Sequence, residues 1–285
     1  MRLAIVFTCF NRKNKTKNCL DRLIYSKEIC AYKPEIHFFV CDDCSNDGTV
    51  EMLNEYKDYV DVITGTGNLF WAKGMGRALE AAKNWNPDFY IMVNDDVEFE
   101  NNVLEIMLNN YFMYSGKMHA IVGATRDRIT GEFTYGGHLW NWKAYPKRIT
   151  PVLPSDSNKE CNTTNWNCFL ISDQLFNKVG DIDTVYEHSY ADFDYSNRIT
   201  LLKYKIYTAD KYIGFCSRNG DKGTWRDKKL TVKERFRLLN RPNGFPPKSN
   251  WHYAKKYYGI WAPYMFVRPY LSILKGGIDK FLRRN

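Results

Sequence analysis

The chain opens with five consecutive apolar residues, Leu3-Ala4-Ile5-Val6-Phe7, and the mixed segment Thr8-Cys9-Phe10-Asn11-Arg12 follows them directly. An unbroken apolar run of this length is typical of a strand that is buried on both faces of a sheet. The basic residues that come next, and the lack of a small-residue cleavage site, argue against a signal peptide. The opening therefore predicts a buried first strand in a cytoplasmic protein.

Apolar strands and amphipathic helices alternate through the first 100 residues. Further apolar runs lie at 36–40, 60–63 and 89–93, and apolar residues at helical spacing lie between them. This β-α-β-α-β-α-β order predicts an α/β fold with a mostly parallel, Rossmann-like central sheet flanked by helices. In such sheets ligands bind beyond the carboxyl ends of the strands.

Polar and acidic residues stand at these predicted strand ends. Asp42-Asp43 follows the second strand, residues 65–68 follow the third, and Asn94-Asp95-Asp96 follows the fourth. The glycine pattern of a dinucleotide site and the P-loop pattern are both absent from the chain. Carboxylates at a sheet edge suit a divalent cation that is bound by one or two carboxylates plus substrate phosphates. The sequence therefore predicts a site for a nucleoside diphosphate with Mn²⁺ or Mg²⁺.

Charge divides the 285 residues into two parts. Residues 216–285 hold 17 Lys and Arg against 4 Asp and Glu, whereas residues 1–215 hold 24 basic and 28 acidic residues. The chain is also 16% aromatic. We therefore predict a catalytic domain over residues 1–215 and a basic, aromatic, helical extension over residues 216–285. An extension of this charge suits an anionic membrane, a phosphorylated acceptor or nucleic acid, and its aromatic residues also suit a homodimer interface.

The final stretch, residues 263–285, mixes apolar and basic residues. If it is helical, these can face opposite sides, as in a helix that lies in a membrane interface. Packing on the body of the protein explains the apolar residues equally well, and Gly276-Gly277 is predicted to break the helix. No apolar stretch reaches the roughly 18 residues of a membrane-spanning helix. We expect the protein in the cytoplasm, with peripheral contact to the inner face of the cell membrane as a further option.

Four segments resemble, in order, the motifs of family-2 glycosyltransferases with the GT-A fold. They are Thr8-Cys9-Phe10-Asn11-Arg12, Asp42-Asp43-Cys44-Ser45-Asn46-Asp47-Gly48-Thr49, Asn94-Asp95-Asp96 and Tyr190-Ala191-Asp192-Phe193-Asp194-Tyr195-Ser196-Asn197-Arg198. The second is similar to the family's DDGSTDGT segment, the third to its DXD motif and the fourth to its ED-x-D-L-x-x-R motif, although Ala191 stands where the family often has Glu. Residues 67–75 also resemble bacterial surface-polysaccharide members, which include rhamnosyltransferase-like proteins.

This resemblance implies a donor nucleotide site beyond the first strand. Thr8 and Phe10 are expected to flank the base, and Asp42 is expected to accept a hydrogen bond from N3–H of a pyrimidine. Asp96 matches the metal-binding acid, and Lys73 is expected near the pyrophosphate or the acceptor. Asn94 is expected to contact the ribose, and Asp95 is expected to act through the ribose or a metal-bound water. The donor-binding candidates are Thr8, Phe10, Asn11, Arg12, Asp42, Asn68, Trp71, Lys73, Asn94 and Asp95.

The resemblance also implies an acceptor side that contains the general base. Asp192 aligns with the catalytic acid of the fourth motif, and a carboxylate there would take the proton of the acceptor hydroxyl. Asp194 is expected to orient Arg198 or a backbone amide. His188 is expected near the acceptor or the metal, or in a structural role. Trp140, like Trp71, is expected either to stack on a sugar ring or to fill the core.

These features predict a metal-dependent, inverting glycosyltransferase. It would move a sugar from a UDP or dTDP donor to a growing bacterial surface glycan, for which a lipid-diphosphate-linked acceptor suits the basic extension. A nucleotidyltransferase is one alternative, but the basic glycine-rich signature expected after the first strand is missing. A non-catalytic protein that binds nucleic acid or an anionic surface is the other, and it leaves the acidic strand ends unexplained. No nucleic-acid partner is predicted.

Overall fold

The computed structural model describes residues 1–114, 118–141, 149–157 and 159–282. Its strands are β1 (Arg2–Cys9), β2 (Glu35–Asp42), β3 (Val60–Thr64), β4 (Phe89–Val93), β5 (Glu98–Phe99), β6 (His119–Arg126), β7 (Phe133–Tyr135), β8 (Gly137–Trp140), β9 (Ile149–Pro151), β10 (Glu160–Cys161), β11 (Thr163–Thr164), β12 (Cys168–Ser172) and β13 (Lys205–Phe215). Its helices are α1 (Lys13–Ile29), α2 (Thr49–Asn54), α3 (Phe70–Lys83), α4 (Val103–Met113), α5 (Asp173–Val179), α6 (Ala191–Leu201), α7 (Val232–Leu239), α8 (Pro247–Tyr258) and α9 (Ala262–Leu282). The first four strands alternate with three helices, as the apolar pattern predicts.

Ten strands of the described part of the chain form one sheet. Its order is β10-β13-β6-β12-β4-β1-β2-β3, with β5 paired to β13 and β7 paired to β6. The pairs β1–β2, β1–β4, β2–β3 and β6–β13 are parallel, whereas β12 runs antiparallel between β4 and β6. Strands β8, β9 and β11 form a second, small sheet. The predicted α/β class, with a mostly parallel central sheet flanked by helices, is confirmed.

The position of β1 explains its unbroken apolar sequence. Ala4 and Val6 pack in a cluster with α3 on one face of the sheet, and Leu3, Ile5 and Phe7 pack with α1 on the other. All five side chains are fully buried. Burial of a large apolar side chain contributes about 1.5–3 kcal/mol, so both faces of this strand stabilise the fold.

The order of the strands reverses at β1. From β1 the chain builds β2 and β3 on one side and then returns to place β4 on the other side. Ligands of open α/β sheets bind beyond the carboxyl ends of the strands at such a switch point. Residues 10–12 follow β1 and residues 94–96 follow β4, so both segments lie where this rule places a site.

Helix α3 lies unusually close to β1 because residue 74 is glycine. A Cβ atom at Gly74 would lie 2.3 Å from Oγ1 of Thr8. Glycine weakens a helix by about 1 kcal/mol relative to alanine, so this position exchanges helix propensity for close packing. The hydroxyl of Thr8 donates to the carbonyl of Cys41 at 2.9 Å. Together these contacts hold the start of α3 beside the ends of β1 and β2.

The segment after β13 packs against the body of the protein. Tyr253 and Tyr257 of α8 belong to the same apolar cluster as Trp140, and the rings of Trp140 and Tyr253 are stacked with centroids 6.0 Å apart. Within the described residues, no helix is long and apolar enough to cross a membrane. The extension therefore shares its core with the sheet and contributes walls to any cleft at that end.

Helix α9 continues through Gly276-Gly277 to Leu282, so the predicted break at this pair is wrong. Glycine lowers helix propensity by about 1 kcal/mol per residue, but it leaves the backbone N–H and C=O groups that make the helical hydrogen bonds. The end of the predicted amphipathic stretch, residues 283–285, lies outside the described residues.

Candidate active site

Asn11 ties the loop after β1 to the loop after β2. Its backbone is left-handed, with φ at 51°, a conformation that asparagine adopts more readily than most residues. Its N–H donates to Oγ of Ser45 at 2.8 Å, and its Oδ1 accepts the N–H of Asn46 at 2.8 Å. The backbone and the side chain of Asn11 together fix the relative position of these two loops.

Asp43 fixes the segment that leads into α3. Its carboxylate accepts backbone N–H groups at 2.7–3.1 Å from Thr66, Gly67, Leu69 and Phe70. A Cβ atom at Gly65 would lie 2.5 Å from Oδ1 of Asp43, so this approach requires glycine. Hydrogen bonds to an ionised acceptor are about twice as strong as neutral ones. Asp43 thus joins the end of β2 rigidly to the start of α3.

Asp42, the predicted partner of a pyrimidine base, is only 1% exposed. Its Oδ2 accepts the N–H of Ser45 at 2.9 Å, and its Oδ1 lies 3.5 Å from Sγ of Cys9. The structure thus places Asp42 inside the turn that follows β2. Its contact with a base stays a prediction.

Arg12 joins the two acids of the predicted DXD motif. Its Nη1 lies 3.1 Å from Oδ1 of Asp95 and 3.2 Å from Oδ2 of Asp96. Thr16 donates its hydroxyl to the other oxygen of Asp95 at 3.0 Å. Burial raises the pKa of Asp95 to about 6, although the charge of Arg12 opposes this shift. The pair of acids is therefore held by a cation that belongs to the protein itself.

Asn94, the first residue of that motif, is held by two side chains. Its Oδ1 accepts the indole N–H of Trp71 at 2.8 Å, and its amide donates to Oδ1 of Asn167 at 3.2 Å. Trp71 packs edge-on against the buried Trp166, with centroids 5.9 Å apart. Trp71 therefore packs partly on the core and also positions Asn94, and its stacking on a sugar ring stays a prediction.

Asp192 lies in the first turn of α6. Tyr190 directly precedes this helix. Its backbone is left-handed, with φ at 77°, which is strained for an aromatic residue. Oδ1 of Asp192 accepts the N–H of Phe193 at 2.9 Å, and Oδ2 lies 3.4 Å from the amide nitrogen of Asn165. Burial raises the pKa of Asp192 to about 6. A carboxylate with this pKa is ionised at neutral pH and can still accept a proton.

Asp194 is fully buried and joins α6 to α8. Its Oδ1 accepts hydrogen bonds from Nζ of Lys256 at 2.6 Å, from the hydroxyl of Tyr257 at 2.8 Å and from that of Tyr186 at 3.1 Å. Its Oδ2 accepts Nε of Arg198 at 3.1 Å, in line with the expected orientation of that arginine. The Asp194 network thus connects the helix that contains Asp192 to the C-terminal extension.

Arg198 points to the end of α5 rather than to a cleft. Its two terminal nitrogens donate to the carbonyls of Val179 and Asp181 at 2.7 and 2.6 Å. Lys73, at the first turns of α3, lies 3.3 Å from the carboxylate of Glu187. Both cations are therefore paired within the protein.

One large cavity, of about 1290 Å³, lies at the carboxyl ends of β1 and β4. It exceeds the roughly 300–1,000 Å³ of typical small-molecule sites, so it has room for two substrates. It is lined by ten of the predicted site residues: Thr8, Phe10, Arg12, Trp71, Asn94, Asp95, Asp96, Trp140, His188 and Asp192. The predicted residues that do not line it are Asn11, Asp42, Asn68, Lys73, Asp194 and Arg198.

Several residues of the cavity wall escaped prediction from the sequence. Asp43, Asn165 and Asn167 line it next to the predicted acids. The polar residues on both sides of Trp166, directly before the apolar run of β12, are a signal that could have identified the two asparagines. Loops and helices of the extension contribute a further set: Trp225, Arg226, Arg241, Phe245, Tyr253, Tyr258, Met265 and Arg268. Only the three-dimensional packing brings these to the site.

A divalent cation here would need ligands from its substrate. Among the described residues, no group of three or more His, Cys, Asp or Glu side chains is arranged to hold a metal ion. Asp96 is the carboxylate at the cavity wall with the freer oxygen, since its Oδ1 has only a 4.0 Å contact with Sγ of Cys216. One carboxylate with substrate phosphates is a usual environment of Mg²⁺, so the donor set fits a cation that arrives with a diphosphate.

The chain belongs to glycosyl transferase family 2, whose family model matches residues 4–180. It is a glycosyltransferase with the GT-A fold, and its predicted identity as a family-2 member is confirmed. A comparison with curated proteins finds no match.

Solved structures of the same fold include two enzymes with different ligands. One is the mannosyltransferase PcManGT from Pyrobaculum calidifontis in complex with GDP-Man and Mn²⁺, with a TM-score of 0.56 at 15% identity. The match covers 98% of this chain and 75% of the mannosyltransferase chain. S. aureus TarS 1-349 has a TM-score of 0.56 at 13% identity, with coverage of 95% and 72%. The same TarS fragment in complex with UDP has a TM-score of 0.52 at 12% identity, with coverage of 90% and 70%. At these identities the similarity concerns the fold.

Proposed function

We propose that this glycosyltransferase is metal-dependent and inverting, and that it moves a sugar from a UDP or dTDP donor to a growing bacterial surface glycan. One observation carries the proposal. A single cavity holds the acids that follow β4 at the switch point of the sheet and, in its wall, Asp192, a carboxylate whose pKa is raised to about 6. The acids that follow β4 suit a nucleoside diphosphate with its metal ion, and Asp192 suits the role of general base.

The donor nucleotide is proposed to bind over the end of β1. Phe10 is 49% exposed and lines the cavity, so its ring is available to pack against a base. Thr8 also lines the cavity and is proposed to flank the base, and Asp42 is proposed to accept the N3–H of a pyrimidine. Two solved relatives with this fold contain GDP-Man or UDP, which supports a nucleotide-sugar donor.

Asp96 is the residue proposed to hold Mn²⁺ or Mg²⁺ together with the donor diphosphate. The cation would neutralise the charge that develops on the departing nucleotide. Arg12 balances Asp95 and Asp96 in the structure, where its guanidinium contacts both. When the diphosphate binds, Arg12 is proposed to move from Asp96 to a phosphate oxygen, because a guanidinium suits either anion.

Asp192 is proposed to take the proton of the acceptor hydroxyl as the new glycosidic bond forms. Its Oδ2 has a long contact of 3.4 Å with the amide nitrogen of Asn165, and this oxygen is proposed to accept the proton. In-line attack on the face opposite the nucleotide inverts the anomeric carbon. The Asp194 network holds α6 and therefore the position of the base.

The remaining proposals concern the acceptor and the location of the protein. We infer a functional division at residues 215 and 216, where β13 ends, with residues 216–285 in contact with the acceptor. Their basic charge suits a lipid-diphosphate-linked glycan at the inner face of the membrane. A homodimer through the aromatic surface of the extension is the alternative use of that surface.

A calorimetric panel of UDP, dTDP, GDP and CDP, each with and without Mn²⁺, tests this function. We expect one pyrimidine diphosphate to bind, and to bind only with the metal. Asp96→Ala should remove the metal dependence, whereas the control Asp58→Ala, at an exposed aspartate outside the cavity, should not. Binding of none of the four nucleotides would refute the proposed donor site.

A further inference from the structure

Three arginines of the extension line the cavity without a carboxylate partner. Arg226, Arg241 and Arg268 are exposed at its wall, and no salt bridge among the described residues includes any of them. The guanidinium of Arg226 lies over the ring of Trp225, at 4.6 Å from its centroid. These side chains therefore bring three positive charges to one cavity.

The acids of the cavity form no salt bridge with these three arginines among the described residues. The carboxylates that line it are Asp43, Asp95, Asp96 and Asp192. Asp43 is saturated by four backbone amides, and Arg12 pairs with the next two. The described part of the extension thus contributes a basic wall that is not ion-paired with these acids. Clefts with charge of one sign attract ligands of the opposite sign.

A continuous series of aromatic rings connects these arginines to the catalytic helix. Tyr190, two residues before Asp192, stacks on Phe245 with centroids 5.2 Å apart, and Phe245 contacts Trp225 at 5.7 Å. Arg226 covers that tryptophan. This series thus links Arg226 to the residue that precedes α6, and Arg226 and Asp192 line the same cavity.

A second series leads to Arg268. Tyr190 stacks on Tyr253 with centroids 4.3 Å apart, and Tyr253 contacts Tyr258 at 6.0 Å. Tyr258 and Arg268 both line the cavity, so this series ends at the same wall as the arginine. Aromatic rings that lead to arginines suit a ligand with sugar rings next to an anionic group.

We infer that this wall binds a phosphate of the acceptor, so that the acceptor class is a saccharide linked to a phosphodiester or diphosphate. The inference rests on the proposed function, because it assigns the second substrate of the same cavity. A phosphate has oxygens for more than one guanidinium, and arginine binds it in a fork geometry that lysine does not reproduce. The phosphate comes from either a lipid-linked headgroup or a sugar-phosphate polymer.

Glucose 1-phosphate and glucose, titrated into the protein with and without saturating UDP and Mn²⁺, test the inference. UDP fills the donor site, so the phosphate compound then reports on the second site. We expect glucose 1-phosphate to bind at least about 10-fold more tightly than glucose, since a charged hydrogen bond accounts for a factor of this size. The triple variant Arg226→Gln, Arg241→Gln, Arg268→Gln should lose this preference and keep its affinity for UDP with Mn²⁺.

A matched triple variant, Lys229→Gln, Lys233→Gln, Arg237→Gln, removes the same charge from exposed residues of the extension outside the cavity and should behave as wild type. Equal binding of glucose 1-phosphate to the arginine variant and to wild type would overturn the inference, and so would a loss of UDP affinity in that variant, because the arginines would then belong to the donor site. Titration of glucose 1-phosphate without UDP tests the arginine wall even if UDP does not bind. Failure of this inference can therefore be distinguished from failure of the proposed donor site.

The source of the phosphate is distinguished by co-sedimentation with vesicles of phosphatidylglycerol or of phosphatidylcholine. Binding to the anionic vesicles that the arginine triple variant loses would support a lipid headgroup. Binding of glucose 1-phosphate without any vesicle binding would support a sugar-phosphate polymer. Both results require the arginine wall. Loss of vesicle binding in the lysine control variant alone would contradict a role of the arginine wall in lipid contact.

Discussion

Nζ of Lys256 lies 2.6 Å from Oδ1 of Asp194, a fully buried carboxylate two residues after Asp192. The lysine belongs to α8 and the aspartate to α6, so this ion pair joins the extension to the helix that contains the proposed base. Tyr257 reinforces it from the next position of α8. The extension is thereby part of the structure that positions Asp192.

Removal of this ion pair should destabilise the protein. Lys256→Met leaves Asp194 with Arg198 as its remaining cation, so the free energy of unfolding should fall by about 1–3 kcal/mol. Asp194→Ala leaves two cations and two hydroxyls without their acceptor, and a larger loss, of about 3–5 kcal/mol, is expected. Urea unfolding measures both. Lys255→Met, at the exposed neighbour, serves as the control, and a loss of stability there equal to that of Lys256→Met would contradict the assignment.

The segment that leads into α3 should depend on Asp43. Asp43→Ala removes the acceptor of four backbone amides, so we expect a loss of about 2 kcal/mol in the free energy of unfolding and at least about 10-fold weaker nucleotide binding. Gly65→Ala should reproduce the defect, because its Cβ would lie 2.5 Å from Oδ1 of Asp43. Calorimetry with the nucleotide that binds wild type provides the measurement. Unchanged affinity in both variants would show that the segment does not shape the donor site.

Arg12 should control the charge at the motif that follows β4. Arg12→Gln removes the positive charge that lowers the pKa of Asp95. The pKa of Asp95 should therefore rise above about 6 in this variant. Titration of the carboxyl groups by NMR measures the shift. Mn²⁺ without nucleotide should bind the variant more tightly than wild type, because Asp96 no longer has a competing guanidinium. A lower pKa of Asp95 in the variant would contradict the ion pair.

The pH dependence of catalysis should reveal Asp192. The base must be ionised, so kcat/KM should fall as the pH drops through about 6. Above that value kcat/KM should reach a plateau. Asp95 titrates in the same range, and the pH dependence of nucleotide affinity isolates its contribution. Donor hydrolysis, assayed from pH 4.5 to 8 (about two units on either side of 6), gives the profile. An acidic limb that persists unchanged in Asp192→Glu would exclude this residue as its origin.

Local sequence was sufficient for the first half of the fold. The apolar runs that became β1, β2 and β4 are buried on both faces, so their pattern reflects their environment directly, whereas β3 lies at the edge of the sheet and is only partly buried. The same logic located Asp95 and Asp96, because strand ends in a parallel sheet share one edge. The short strand Gly137–Trp140 pairs with partners that are distant in sequence, and no local pattern indicates such pairing.

The limits of prediction are clearest where neighbouring residues differ in orientation. Asp42 and Asp43 are adjacent acids, and only the path of the chain after β2 shows that the second lines the cavity. Arg198 matches the acceptor motif, yet its guanidinium is used at the end of α5. The arginines of the extension lie on α9 and on the loops before and after α7, and they reach the site only through the packing of the extension on the body of the protein.

The most direct measurement compares wild type with Asp192→Asn in two assays, using whichever UDP- or dTDP-sugar the nucleotide panel selects. Transfer of the sugar to water requires the base but no identified acceptor. We predict that hydrolysis in the variant falls by about 10²–10⁴-fold, because a general base contributes this much, while affinity for the nucleotide with Mn²⁺ stays within about twofold. Hydrolysis at the rate of wild type would contradict Asp192 as the base, and with it the proposed inverting mechanism.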